Sequence, residues 1–342
     1  METPSKKAGV PRRAVLRAMG AVGATVAGAW PVRDALAQSD PSANYPNKPI
    51  RVIIPFVAGG SGDTVIRAVG LRLTAAWGQQ VVIENRAGAS GALGLQVASK
   101  SAPDGYTLVL GTSSTHAINP HLQQDLGYDA FRDFAPVAML ITAPNVMVAH
   151  PSVPANNLRE LIALAKAQPG KLSFASNGAG TVSHLSGELL NSEAMIKLLH
   201  VPYKGAGQAV NDVLGGHVPL LIGALPTTLA HVNAGRLKAI GVTTAQRSPA
   251  APAIPTFAES ALPGFDVGQW FGIFAPPTTP RELLTKLNLE INRALNQAEL
   301  KAEFARVGFD TTPRSPAEFN TYMRAESARW AKVIKEADIR VS

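Results

Sequence analysis

RVIIPFVAGGSGDTVIRAV, Arg51 to Val69, is the stretch that decides how this chain is read. An apolar β-type run, Arg51–Phe56, leads into a loop with glycines at 59, 60 and 62. A carboxylate, Asp63, follows, and then a helical pattern, Thr64–Trp77, with Val65, Val69 and Leu73 on one stripe. Gly78 stands where a helix ends in the left-handed conformation. The glycines let backbone N–H groups approach a ligand without side-chain obstruction. The following helix adds the partial positive charge of its N-terminus. Together these features suit a carboxylate. Phosphate is disfavoured, because the loop has no lysine and no G-x-x-x-x-G-K-[ST] pattern. The same residues equally describe an ordinary strand-to-helix turn with Asp63 as a cap.

Outward from this unit, β-type runs alternate with helical stretches. Val81–Glu84, Thr107–Gly111, Pro136–Thr142 and Val146–Ala149 read as strands, and Leu93–Ser99 as a helix. The alternation then restarts. Asn157-Leu-Arg-Glu160 opens a helix that Gln168-Pro-Gly170 stops. Strands at Lys171–Ala175, Leu198–Tyr203, Val218–Gly223 and Leu237–Thr243 alternate with helices near Ser183–Leu190, Gln208–Leu214 and Thr227–Ala234. After a proline-rich stretch comes a strand at Gln269–Ala275. Two closing helices are expected. Arg281–Asn296 carries Leu284, Leu287, Ile291 and Leu295 on a stripe, and the second starts at the Ser315-Pro-Ala-Glu318 capping box. Its Phe319, Tyr322, Met323 and Trp330 read as core.

The predicted fold is α/β: a two-lobed binding protein, each lobe a mostly parallel sheet flanked by helices, with a ligand cleft at the strand ends between the lobes. Residues 38–143 plus 264–342 form the first lobe and 144–263 the second.

The strand ends carry the remaining motifs. Gly111-Thr112-Ser113-Ser114-Thr115-His116 places hydroxyls and an imidazole in one loop. Ser176-Asn177-Gly178-Ala179-Gly180-Thr181-Val182-Ser183-His184 pairs small residues with a helix start, and Tyr203-Lys204-Gly205 points into the same region. Each of these loops is also consistent with a polar turn that only caps the next segment. Gly88-x-x-Gly91-x-x-Gly94 has the wrong spacing and the wrong strand for a dinucleotide site.

Catalysis finds little support: there is no G-x-S-x-G elbow, no cysteine, and no histidine spacing that pairs with an acid for metal ligation. His116 reads as a hydrogen-bonding residue or a general base. No metal or cofactor is expected.

The sequence has 342 residues, 46% hydrophobic and 16% charged, which supports a sizeable core. The net charge of +8 is divided evenly. Lys6, Lys7, Arg12, Arg13, Arg17 and Arg33 against Glu2 and Asp34 leave +4 in residues 1–37 and +4 in the rest. That balance, without basic runs and interleaved aromatics, argues against nucleic acid. Arg12-Arg13 with Leu16, an Ala/Gly-rich apolar stretch from Ala18 to Trp30, and Ala35-Leu36-Ala37 have the order of a twin-arginine signal peptide. The apolar stretch is shorter than the roughly 20 residues a membrane span needs. Export to the periplasm and a mature start at Gln38 are expected.

Several segments together resemble the solute receptors of tripartite tricarboxylate transporters, the Bug family. They are Tyr45-Pro-Asn-Lys-Pro-Ile-Arg-Val-Ile-Ile-Pro-Phe56 with Gly59-Gly-x-x-Asp63, Gly78-Gln-Gln-Val-Val-Ile-Glu-Asn-Arg-Ala-Gly-Ala-Ser-Gly91, Pro103-Asp-Gly-Tyr-Thr-Leu108, Ser114-Thr-His-Ala-Ile-Asn-Pro120, Val201-Pro-Tyr-Lys-Gly205 and Gly272-Ile-Phe-Ala-Pro-Pro277. The match covers nearly all of the mature chain.

The resemblance implies a monomeric periplasmic receptor that closes on a small carboxylate (a di- or tricarboxylate, an acidic amino acid or an aromatic acid) and hands it to membrane permease subunits. It implies one carboxylate held by Val57, Ala58, Gly59, Gly60, Ser61 and Asp63 with Thr112, Ser114, Thr115 and His116. The ligand's other end would meet Asn177, Gly178, Thr181, Ser183 and Tyr203. Ala58 departs from the family's frequent proline. Asp63 would repel a carboxylate if it pointed at it, so it is expected to cap the helix or order a bridging water. The alternatives are a receptor that signals to a sensor kinase and, on the same fold, a periplasmic enzyme.

Overall fold

The computed structural model describes residues 42–123 and 125–340. The expected signal peptide and its cleavage site lie outside the described residues. The first run of elements is β1 (Ile50–Ile54), α1 (Ser61–Trp77), β2 (Val81–Asn85), α2 (Ala92–Ser99), β3 (Thr107–Thr112), α3 (Asn119–Leu122) and β4 (Ala135–Ala149). The middle holds α4 (Leu158–Ala167), β5 (Ser173–Ser176), α5 (Val182–Ala194), β6 (Leu199–Pro202), α6 (Ala206–Leu214), β7 (Leu220–Ala224), α7 (Leu225–Asn233), β8 (Lys238–Val242) and α8 (Phe257–Ser260). The chain ends with β9 (Gly268–Ala275), α9 (Arg281–Leu295), α10 (Ala298–Val307), β10 (Asp310–Thr311) and α11 (Pro316–Glu336).

The strands form a ten-stranded sheet with the order β2-β1-β3-β9-β4-β7-β5-β6, and β8 and β10 pair with β4. Each flank is parallel: β1 with β2 and β3, and β5 with β6 and β7. The joining strands β9 and β4 run antiparallel to their neighbours, because β9 belongs to the chain's return. The sequence suggests separate strands at 136–142 and 146–149, but β4 is continuous. Its partners change within it: β9 pairs as far as Pro144, and β7 and β8 take over from Asn145 and Val146. A proline cannot donate to a ladder, so the change of partner is where Pro144 is tolerated. The return passage is tied beside it, with Val267 N donating to Thr243 O at 2.8 Å and Thr243 Oγ1 donating to Val267 O at 2.6 Å.

The two expected closing helices are three, because α10 intervenes between α9 and α11. It buries Leu300 and Phe304 and ends at Gly308, whose φ of 89° supplies the left-handed cap. On α9 the buried stripe starts at Leu283 rather than Leu284, which is only half-buried. On α11, Phe319, Met323 and Trp330 are core as expected, and Tyr322 packs partly buried against them.

For the site, the decisive local feature is the start of α1. Its apolar face, with Val65, Ile66, Val69 and Leu73, is buried against β1, β3 and α9. Its N-cap is Gly60, which makes no side-chain cap, so the first N–H groups stay open.

Candidate functional site

The expected loops converge. A cavity of about 80 Å³ is lined from the first flank by Val57, Gly60, Ser61, Asp63, Thr112 and Ser114. From the second flank Asn177, Thr181 and Ser183 face it. One ordered water needs roughly 10–15 Å³ by the same measure, so there is room for several waters or a small organic acid.

Three helix starts border this space: Gly60-Ser61-Gly62 of α1, Thr181-Val182-Ser183 of α5 and Gly205-Ala206 of α6. In α1 the first helical bond runs from Thr64 N to Gly60 O at 3.0 Å, so the N–H groups of Ser61, Gly62 and Asp63 have no acceptor within the helix. In α6 the first such bond runs from Ala209 N to Gly205 O at 3.4 Å, leaving Ala206, Gly207 and Gln208 in the same situation. At α5 the first N–H groups are partly satisfied: Val182 N donates to Ser114 Oγ on the other flank at 3.2 Å, and His184 N to the Thr181 hydroxyl at 3.4 Å. Two buried side-chain atoms of the lining, Ser61 Oγ and Asn177 Oδ1, have no partner within the protein. Buried polar atoms are rarely left so, which marks this as a place for a ligand or water.

Among the lining residues the ionisable side chains are Asp63 and Lys204. Asp63 does not confront the cavity as a bare charge. Its Oδ2 accepts from Gly59 N at 3.0 Å and Arg67 Nε at 2.9 Å, and its Oδ1 accepts from Asn85 Nδ2 at 3.2 Å. Asn85 also donates to Phe56 O at 3.1 Å. Burial alone would raise the Asp63 carboxyl; the bonds from Arg67, Gly59 and Asn85 outweigh it and hold the group below its ordinary range. The carboxylate therefore pins the loop between β1 and α1 from behind.

Thr115 and His116 are placed behind the wall. After β3, residues Ser113–Ile118 form a π-helical turn capped by Thr112. Thr115 Oγ1 accepts from Thr112 N at 2.9 Å, and Thr112 Oγ1 accepts from Thr115 N at 3.3 Å. His116 is fully buried, stacked on Phe274 with ring centroids 4.0 Å apart, and its Nδ1 lies 2.9 Å from Thr115 Oγ1. Burial pushes its pKa down to about 3, so the ring is neutral. It holds the turn that presents Ser114; it does not line the cavity.

Of the remaining expected residues, Gly178 and Tyr203 line an adjoining cleft of about 470 Å³, Gly59 borders a separate groove, and Ala58 is exposed on the loop. Tyr203 donates its hydroxyl proton to Asp212 Oδ2 at 2.6 Å; burial and that carboxylate push the phenol up to about 12. The second-flank loop is organised by its own hydroxyls. Thr181 Oγ1 donates to Gly178 O at 2.7 Å, and Asn177 N donates to Ser183 Oγ at 3.1 Å. Gly62, Val182, Lys204 and Gly205, which belong to the strand-end motifs, also line the cavity, together with Phe56, Ala206, Gln269 and Phe271, which the sequence does not single out as ligand-binding. Gln269 and Phe271 arrive on β9, whose insertion between β3 and β4 nothing in their local sequence announces. Gln269 Nε2 donates to Asn145 Oδ1, the residue of β4 just after Pro144.

A family model, the tripartite tricarboxylate transporter family receptor, matches residues 65–339. Protein BugT of Bordetella pertussis is 38% identical over 298 residues, which is 87% of this chain and 91% of that protein. Among solved structures, the R. palustris protein Rpa4515 with adipate is similar with a TM-score of 0.84 at 34% identity, over 86% of this chain and 99% of that one. MatC from Rhodopseudomonas palustris with bound malate gives a TM-score of 0.80 at 32% identity, over 85% of this chain and 100% of that one. On the match to its model and on these relatives, the chain belongs to the tripartite tricarboxylate transporter receptor family.

Proposed function

We propose that this protein is a periplasmic receptor that captures a small carboxylate in the cavity described above and delivers it to the membrane subunits of a tripartite transporter. The observation that carries the reading is the convergence of three helix N-termini on a cavity whose one carboxylate, Asp63, is already bonded to Gly59, Arg67 and Asn85. Open N–H groups and aligned dipoles favour an anion there. The adipate and malate in the two solved relatives are consistent with that chemistry.

In this reading Val57, Gly60, Ser61, Thr112 and Ser114 meet the ligand from one lobe, and Asn177, Thr181 and Ser183 from the other. Asp63, Thr115 and His116 position those groups. Ala58, Gly59, Gly178 and Tyr203 frame the approach. Residues 38–143 with 264–342 act as one lobe and 144–263 as the other, hinged at Pro144–Asn145 and at the Thr243–Val267 tie. The protein acts as a monomer, after removal of residues 1–37, and turns nothing over.

Thermal melting with malate, adipate and their diamides tests the capture. A ligand at a hundred times its dissociation constant stabilises by about 2.7 kcal/mol. For roughly 300 residues at 2.1 cal/mol/K each, that raises the melting point by about 4 °C. If no acid in a broad carboxylate panel shifts the melt, or the neutral diamides shift it equally, the reading fails.

A further inference from the structure

We propose that the hydroxyl of Ser90 is a latch across the way out of the cavity, so that this one side chain sets how long the bound acid stays. The inference rests on the capture of an acid between the two flanks, and it adds what controls release.

Ser90 belongs to Gly88-x-x-Gly91-x-x-Gly94, the motif that a dinucleotide site does not explain. The structure gives its later glycines a packing reason. A Cβ at Gly91 would stand 2.8 Å from Thr115 Cγ2, and one at Gly94 would stand 2.8 Å from Pro55 Cα. The turn before α2 is therefore pressed against the π-helical turn on one side and the loop after β1 on the other. At its tip the backbone is left-handed, with φ of 144° at Gly88, 47° at Ala89, 53° at Ser90 and 97° at Gly91. Ala89 and Ser90 carry a Cβ, which makes that conformation unfavourable for both. Ala89 is exposed, so the packing of its side chain does not enforce it.

Besides the turn's own bond from Gly91 N to Gly88 O at 2.9 Å, the polar groups of Ser90 fix it. The Ser90 carbonyl accepts from Asn119 Nδ2 at 3.2 Å, within the first flank. The Ser90 hydroxyl donates to Ala179 O at 2.6 Å, on the second flank. Strained backbone persists only where its surroundings over-determine it, and this second bond exists only while the flanks are together. Ser90 and Ala179 both line the cleft of about 470 Å³ beside the cavity. Cleft and cavity share Phe56, Val57, Asn177, Thr181 and Lys204, so they are one continuous space. The bond thus spans the opening through which the acid would pass. Parting the lobes breaks it and lets the left-handed pair relax, so the hydroxyl is what holds the closed turn against its own strain.

Stopped-flow fluorescence tests this, with a dye on Ala87→Cys, an exposed position in the lining of the cleft; the chain has no cysteine of its own. The probes are malate and adipate or, if neither binds, the acid of the carboxylate panel that raises the melt most. Ser90→Ala, Ser90→Gly and Ala89→Gly are compared with the labelled parent, and their apo melts report folding. Both Ser90 variants should raise the dissociation rate by about two- to tenfold, the range of one neutral hydrogen bond, with association within about twofold. Ala89→Gly eases the turn and keeps the hydroxyl, so it should dissociate no faster than the parent. Unchanged dissociation in both Ser90 variants, a loss carried by association instead, or an equally fast Ala89→Gly overturns the latch and leaves the capture standing. A wild type that binds no acid in the panel overturns the capture and this inference with it.

Discussion

Asp63→Asn sets two effects of one carboxylate against each other. Removing a negative charge from an anion site should strengthen binding. Removing the acceptor that fixes the loop should weaken it. The charge effect is small, because Arg67 already neutralises Asp63 at 2.9 Å and is itself half exposed. For an already paired charge of this kind, with its partner in contact with solvent, the change is under about 1 kcal/mol. The positioning effect is larger. Asn keeps the shape, but whichever way its amide turns, its NH2 meets a donor: Asn85 Nδ2 on one side, or Gly59 N–H and Arg67 Nε on the other. A hydrogen bond to a charged group contributes about 1.5–3 kcal/mol, and the half-exposed Arg67 contact less than about 1. The loss of stability is therefore about 2–4 kcal/mol, which for roughly 300 residues lowers the melting point by about 3–6 °C. The open N–H groups of Ser61 and Gly62 would no longer be held in place, so affinity for the acid should also fall, by roughly tenfold. Differential scanning calorimetry of the apo variant and titration with the best acid measure the two quantities. An unchanged melting point together with tighter binding would refute the positioning argument and make Asp63 a repulsive group.

Gly205→Ala tests the contact between the two sides of the cavity: its extended backbone accepts alanine, but the new methyl would stand 2.5 Å from Val57 Cγ2, so affinity should drop severalfold in titration while the apo melt stays within about 1 °C. Urea titration from pH 7 to 4.5 should show falling stability. His116 and His200 are depressed by burial to about 3 and about 4, so below the ordinary histidine value the unfolded chain binds more protons than the folded one. Their contribution is complete above about pH 6.5 and is lost as pH falls towards those values, by about 3 kcal/mol at pH 4.5 with the partly exposed His200 discounted; a flat profile would count against neutral buried rings. Mass spectrometry of exported protein should find an N-terminus at Gln38, and Arg12→Lys with Arg13→Lys should block delivery; mature protein reaching the periplasm unhindered would exclude the twin-arginine route.

The legible parts of this fold are those whose signal is local. The glycines before α1, the cap at Ser315 and the alternation of strand and helix each sit within a few residues, and the structure places them nearly where the pattern does. Long-range pairing is not local. Pro144 looks like a break between two strands, yet β4 runs through it because β9 on one side and β7 and β8 on the other take its two halves. The helix α10 hides behind Asn296-Gln297, which reads as an ending; only the burial of Leu300 and Phe304 under the rest of the core makes a helix there worthwhile. In the site, polar loops at strand ends converge around one cavity, but sequence cannot separate the residues that face it from those that hold its wall. Thr112, Ser114, Thr115 and His116 share one loop, and the π-helical turn directs the first two to the cavity and buries the last two. Gln269 and Phe271 are invisible for the opposite reason, since their place depends wholly on a strand that returns from a distant part of the chain.

If the cavity receives an acid as proposed, the use of helix starts and not arginines has a physical consequence for a receptor that must also release it. A guanidinium in an empty, partly buried cavity would bear a desolvation cost until a partner arrived, and would draw in a neighbouring carboxylate to offset it. The backbone N–H groups of Ser61, Gly62 and Ala206 are fixed by their helices, and each helix end carries only about half a charge. They are organised in the absence of a ligand and would hold one without a full buried ion pair. The hydroxyls of Ser61 and Ser114 and the Asn177 amide would supply the remaining bonds, and each could turn to water when the acid leaves. Contacts made from both sides of the cavity then add: Val182 N to Ser114 Oγ at 3.2 Å and Ser90 Oγ to Ala179 O at 2.6 Å already link loops from the two flanks. Separating those loops would strip the ligand of half its donors at one stroke. In the proposed receptor, retention while closed and release when open would then follow from the same set of bonds, with no change of protonation and no covalent step.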